Sequence, residues 1–458
     1  MGTVAIFLLV VAAILIVGIV GEIVFTRTGI PDVVWLIAVG LFLGPLTQLV
    51  SRQDLNSVGP YFGAIVLIIV LFDGGSELAL KELSLAAGRG TVLALVGFSL
   101  SVGLIAAACS GAVYLGLLPE TWTWKHCILV GTILGGSSSV VIMPSLRKAG
   151  LSSRISNLVN LESALTDVLA VVSTGAFIAL AQARGSASHA GQAGMLLGQS
   201  LGVGVGVGFV VGVLTVIMLR RLRQSGYAYP LILGLMMITY VIVDTLGGSA
   251  ALAILVAAVM IGNAPTMSKM IGLAKTARLG QSIEGVHDEI TFIIKSFFFV
   301  FLGAVIGPPW GLVGFGVVLG LLLWLARVPS VRLATIGKSY SKASRRLIGV
   351  LMPRGMAAGV LAIVPHQMGI PGTEHLPVLV FSAVCTTILL FSVSFPFLKK
   401  KLPTEDLAEA PTPGPAAVDT LSEVSTLPEL GATETRPDVP ADESRISVLP
   451  RPSESPAQ

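Results

Sequence analysis

Apolar runs of eighteen or more residues recur along this 458-residue chain from its start to about residue 400. A bilayer core is crossed by roughly 20 apolar residues in a helix. Backbone polar groups in lipid must be satisfied within helices or closed barrels, and the short alternating segments of a membrane barrel are absent. The sequence therefore predicts an all-α polytopic membrane protein. With 54% hydrophobic and only 12% charged residues, it does not fit a soluble enzyme built on one large core.

Thirteen spans are expected, among them the third at about 60–78, the fifth at 126–148, the sixth at 156–182, the eleventh at 310–330 and the twelfth at 345–368. Turn signals such as Gly59-Pro60, Gly247-Gly248 and Pro308-Pro309 separate them. The N-terminus has no basic leader region or small-residue cleavage site, so the first run reads as a retained span. Twenty Lys and Arg residues fall in loops on one side of this alternation, against only Arg52, Lys125 and Arg184 on the other. By the positive-inside rule the N-terminus is expected outside and the C-terminus in the cytoplasm of a cell-membrane protein. Residues 1–400 form the expected transmembrane domain, and 401–458 a cytoplasmic tail. Between Leu402 and Gln458 there are eleven acidic and three basic residues among many Pro, Ser and Thr, and few large apolar ones. Such a segment is expected to be disordered. The basic excess of the remainder belongs to loops beside the membrane and implies no nucleic acid. Cys109, Cys127 and Cys385 lie in or beside apolar runs, without disulfide or metal-ligand spacing.

Within the sixth span, Asn160 to Val172 reads NLESALTDVLAVV and places Glu162 and Asp167 in an apolar run. Acids inside a membrane helix are costly and mark function by default. Ser163 shares a helix face with Asp167, and Thr166 with Glu162, while the two acids point apart. One acid can line a cavity while the other meets a structural partner. Two spans are interrupted: the fifth by Gly135-Gly136-Ser137-Ser138-Ser139, the twelfth by Pro353-Arg354-Gly355. Their separation by seven spans suits two inverted halves, and matched interruptions point to a transporter's ion site. Close helix packing by small residues is the alternative reading. Arg354 at the second interruption either balances charge in the core or anchors a loop.

These residues resemble the monovalent cation–proton antiporter superfamily, nearest its sodium/proton exchanger branch. The landmarks are Gly40-Leu41-Phe42-Leu43-Gly44-Pro45, Leu71-Phe72-Asp73-Gly74-Gly75-Ser76-Glu77-Leu78, Glu162-Ser163-Ala164-Leu165-Thr166-Asp167, Gly248 to Ala253, Arg327 and Pro353-Arg354-Gly355. Their order over about residues 4–400 is more specific than any one string. The resemblance implies an inverted-repeat fold whose discontinuous helices cross at the midplane. It also implies exchange of Na+ or K+ for H+ at a single aspartate, Asp167, with Ser163 as an oxygen ligand. Where the branch usually has Thr-Asp-Pro in the fifth span, this chain has Ser137, Ser138 and Ser139, whose hydroxyls and freed carbonyls could still ligate a cation. Serine-rich strings here also occur in potassium-efflux relatives. Thr166 stands where the branch has Asn and electrogenic relatives a second Asp, which implies electroneutral exchange. Glu162 and Arg327 correspond to a structural ion pair, and Asp73 to a carboxylate on the cytoplasmic ion path or a helix end in water.

Lys295 matches no position of the resemblance. It snorkels, pairs with an acid such as Asp244, or carries a proton. The five histidines fall near span ends or in loops and read as solvated. The sequence is read as a cation:proton antiporter, not an enzyme, with no cofactor, expected to work in the lipid bilayer as a homodimer. A potassium-efflux antiporter of the same fold and a cation channel without proton coupling are the alternatives. An intramembrane aspartyl protease would need a second acid in a Gly-x-Gly-Asp string, which the chain lacks.

Overall fold

A computed structural model describes residues 3–50, 52–78, 88–182, 190–222, 227–270, 281–337 and 340–403. The acidic tail beyond 403, His189 and the loop cations Lys81, Arg184, Arg223, Lys275, Arg278 and Lys338 lie outside the described residues. The described secondary structure is helical throughout. Among the described residues, eight helices are long and apolar enough to cross a bilayer, and three apolar helices of 10–17 residues join them.

The helices in order are α1 (Thr3–Thr28), α2 (Asp32–Leu41), α3 (Arg52–Ser76), α4 (Arg89–Tyr114), α5 (Trp124–Ile133), α6 (Ser139–Ala149), α7 (Ser153–Gln182) and α8 (Ala190–Leu222). There follow α9 (Ala228–Thr245), α10 (Ala250–Gly262), α11 (Ala264–Met270), α12 (Gln281–Val305), α13 (Trp310–Ala334), α14 (Lys342–Val350), α15 (Met356–Gln367) and α16 (Leu376–Lys399). Packing sorts most of them into two groups. One joins α4, α5, α7, α13, α14, α15 and α16; the other joins α1, α2, α3, α8, α9, α10 and α12. The groups meet chiefly where α3 lies against α15 and where α7 lies against α8.

Small residues set the closest approaches, as expected where lipid supplies no hydrophobic drive between helices. Gly40 and Gly44 press on the α12 backbone at Val300, Gly303 and Ala304, so a Cβ at either would overlap main-chain atoms. That contact gives the glycine-rich string of the second span a packing role. Gly204 and Gly208, one turn apart on α8, receive the backbone of Ser249 and Ala253 at the start of α10 in the same way, and Gly212 faces the Met260 side chain.

The two expected interruptions are present. Between α5 and α6 the chain leaves helical geometry over Leu134 to Ser138, and between α14 and α15 over Leu351 to Gly355. Gly is a poor helix residue and Ser competes for backbone hydrogen bonds, so the first break follows from its composition. A third interruption was not expected: the ninth span stops at Gly262 and resumes at Ala264. Pro265 lacks the N–H that would continue the α10 hydrogen-bond ladder, and it is tolerated in the first turn of a new helix. The Asn263 side chain fills the gap, donating from Nδ2 to Leu78 O at 2.6 Å and to Val259 O at 2.8 Å.

Candidate functional site

Backbone groups released by a break inside a membrane need partners, and here a bond between the two main breaks and hydroxyls of α7 and α16 supply them. Ser138 N–H donates to Pro353 O at 2.9 Å. Ser137 N–H donates to Thr166 Oγ1 at 3.1 Å, and Arg354 N–H to Thr387 Oγ1 at 3.0 Å. Ser163 Oγ donates to Ser137 O at 2.9 Å. Thr166 Oγ1 in turn donates to Ser163 O, one turn back, at 3.0 Å. The hydroxyls of α7 therefore hold the break beside them.

Contact between the breaks is tight. A Cβ on Gly355 would overlap both Oγ and Cβ of Ser138. The Gly355 backbone is extended, at φ −133° and ψ −153°, so space rather than conformation demands glycine there. Gly355→Ala is expected to lower stability by about 1–3 kcal/mol, the usual penalty of overpacking. Because the Ser138 Cβ is itself in the way, Ser138→Gly should restore the apparent melting temperature of Gly355→Ala and Ser138→Ala should not. Thermal unfolding in detergent of the single and double variants checks this.

Glu162, Arg327 and Arg354 are buried within this framework. Arg327 Nη1 and Nη2 donate to the two oxygens of Glu162 at 2.7 and 2.9 Å. The same guanidinium donates to Leu351 O at 2.9 Å, at the end of α14. Ser137 Oγ donates to Glu162 Oε1 at 3.1 Å. One fork thus joins α13, α7 and both breaks. Arg354 points into the bundle rather than to a loop, with Nη2 at 3.3 Å from Ser101 Oγ.

Asp167 is partly buried. Among the described residues no donor lies on its carboxylate. Its oxygens approach the Cα side of two glycines: a Cβ on Gly136 would lie 3.2 Å from Oδ1, and one on Gly74 3.8 Å from Oδ2. A cavity of about 10 Å³ opens beside it, walled by Ser137, Ser138, Ser139, Gly355 and the start of α15. That volume admits about one water-sized particle. Ser163 and Thr166 do not line it; their hydroxyls are committed to the α5–α6 break. Ser137, Ser138 and Ser139, the three hydroxyl positions expected at this break, do line it.

A wider funnel of about 240 Å³ adjoins this cavity and shares Ser139 and Val140 with it. Its wall carries Asp73, Glu77, Arg147, Asp288 and Lys295. Asp73 is not a free helix end in water. Its Oδ1 lies 2.9 Å from His287 Nε2, and His287 Nδ1 lies 3.0 Å from the Tyr229 hydroxyl. His287 is 9% exposed, so its reading as a solvated histidine is corrected: α3, α9 and α12 close around it. Lys295 pairs with an acid, one of its three expected roles, but the acid is not Asp244. It forms an ion pair with Asp32 at 2.7 Å, while Asp244 is exposed at the end of α9. The packing of α2 on α12 brings Asp32 within reach, a proximity no local sequence signal encodes.

Residues 11–400 match the family model described as "Sodium/hydrogen exchanger, transmembrane". The chain belongs to this family. Its members are transporters, not enzymes. A K(+)/H(+) antiporter NhaP2 of Shewanella sp. (strain MR-4) is 26% identical over 389 residues, which cover 81% of this chain and 62% of that protein. The Na(+)/H(+) antiporter 1 of Methanocaldococcus jannaschii is 25% identical over 349 residues, 73% of this chain and 77% of the relative. The chain thus spans only 62% of the length of the NhaP2 relatives. In structure, the sodium proton antiporter MjNhaP1 of Methanocaldococcus jannaschii at pH 8 superposes with a TM-score of 0.68 at 20% identity. The match covers 87% of this chain and 99% of that one. The likeness establishes a shared polytopic fold.

Proposed function

We propose that the protein is a monovalent cation/proton antiporter in which Na+ or K+ and H+ compete for Asp167. One observation carries the reading: the Asp167 carboxylate has no donor among the described residues and faces a particle-sized cavity between two interrupted helices. Such a group is neutralised by a proton or by a cation, and not by both together. Hydroxyls and broken-helix carbonyls near it are the ligand class that small hard cations take. The funnel past Asp73 and Ser139 is the path from one surface.

In this reading the chain crosses the membrane thirteen times in two inverted halves, with α5–α6, α10–α11 and α14–α15 each counted as one crossing. The group containing α5, α7, α14, α15 and α16 moves against the group containing α2, α3, α8 and α10, exposing Asp167 to each side in turn. The C-terminus is cytoplasmic, and two copies associate through the second group. Glu162 and Arg327 neutralise each other and carry nothing. Thr166 carries no proton, so the cycle moves one cation against one proton. Relatives named for K+ and for Na+ exchange both match this chain, and the same site serves either ion.

The test is proton-gradient dissipation by the full-length protein in liposomes, read by a pH-sensitive dye on addition of Na+, K+ or Li+. Cation-dependent dissipation is expected, at a rate that an imposed membrane potential leaves unchanged. Steady cation current without proton movement would establish the channel alternative instead. A strong dependence of rate on potential would overturn the one-for-one stoichiometry alone.

A further inference from the structure

At the end of the bundle that carries the basic loops, a cleft of about 660 Å³ opens between α13, α14 and α16. That volume is in the range of sites for ligands of drug or lipid-headgroup size. Four cations, Arg332, Lys342, Arg345 and Arg346, line it. None has a carboxylate partner among the described residues. Three of them fall in the first five positions of α14, the positive end of its dipole, where cations are unfavourable and an anion is favoured. Arg345 is the most confined. Its Nη2 donates to Thr335 O at 3.3 Å, and its Nε is buried without a partner.

The other walls have the opposite chemistry. Trp324 is 45% exposed, Val393 63% and Phe397 66%, on helices apolar enough to cross the bilayer. The cleft therefore pairs a hydrocarbon-facing side with a positive rim at the headgroup level. We propose that it binds one anionic phospholipid, with its phosphate on Lys342, Arg345 and Arg346 and an acyl chain along Trp324, Val393 and Phe397. Basic pockets between membrane helices take lipid headgroups in this way. The acidic tail beyond residue 403 has charge for this rim but few large apolar side chains for the other wall. The site lies apart from Asp167, and its failure would leave the exchange reading untouched.

The test uses full-length protein in mild detergent, titrated with phosphatidylglycerol or phosphatidylcholine and read by native mass spectrometry. Retention of one phosphatidylglycerol over phosphatidylcholine is expected. The triple variant Lys342→Gln, Arg345→Gln, Arg346→Gln should weaken it on the order of 100-fold, since each cation near an anionic headgroup is worth roughly a factor of five. The charge-keeping triple Lys342→Arg, Arg345→Lys, Arg346→Lys should retain most of the binding, which separates recognition from a folding defect. A photo-crosslinker in place of Val393 should capture lipid. Equal retention of the two lipids, unchanged binding by the glutamine triple, or capture of residues 409–458 by the crosslinker would each overturn the proposal.

Discussion

Asp167→Asn is expected to abolish cation-driven proton movement, to the level of protein-free liposomes, without lowering the apparent melting temperature. The side chain keeps its shape, so the cavity wall and the neighbouring Gly136 and Gly74 contacts persist. What disappears is the charge for which cation and proton compete. No described donor is orphaned by the change, because none lies on the carboxylate. A partly buried carboxylate without a hydrogen-bond donor is unfavourable in the folded state, so the amide should unfold at about the same temperature or higher. Wild-type exchange by this variant would remove Asp167 from the mechanism. A lost fold would mean instead that the carboxylate has a structural partner. Parallel measurement with Na+ and K+ separates a change of ion preference from a loss of coupling.

Much of the fold was legible because a bilayer imposes a length and a composition on each crossing. The long spans and the breaks at Gly135–Ser139 and Pro353–Gly355 follow from that rule and from local propensity. The break at Asn263 was missed, because the surrounding hydrophobicity of α10 masked the signal in Asn263-Ala264-Pro265. The site was less accessible. Asp73 and His287 are 214 residues apart, and nothing in either neighbourhood encodes the rotation of α3 and α12 that makes them face. The partner of Lys295 was hidden for the same reason, as it is set by how α2 lies on α12. Helix periodicity placed Ser163 on the Asp167 face without revealing that the broken α5–α6 backbone would claim its hydroxyl first. A break creates unsatisfied groups, and nearby hydroxyls serve those before any ligand.

That ordering makes Arg327 the residue whose loss should damage the fold most. Arg327→Leu leaves Glu162, 1% exposed, without its counter-charge, and frees Leu351 O at the second break. Removing one partner of a buried pair typically costs about 3–5 kcal/mol. Glu162→Leu removes the other charge and also the acceptor of the Ser137 hydroxyl, so it should be destabilising by a similar amount. The double variant removes both charges of the pair together, although it also takes Glu162 away from the buried Arg354 guanidinium, and should lose less than the sum of the singles. Thermal unfolding of the three proteins in one detergent supplies the comparison. Additive losses would show that the two side chains act independently despite their 2.7 Å contact. In membranes the same series should show exchange recovering with folded protein in the double variant, because neither side chain reaches the cavity beside Asp167. A double variant that folds but does not exchange would place one of the pair in the transport cycle itself.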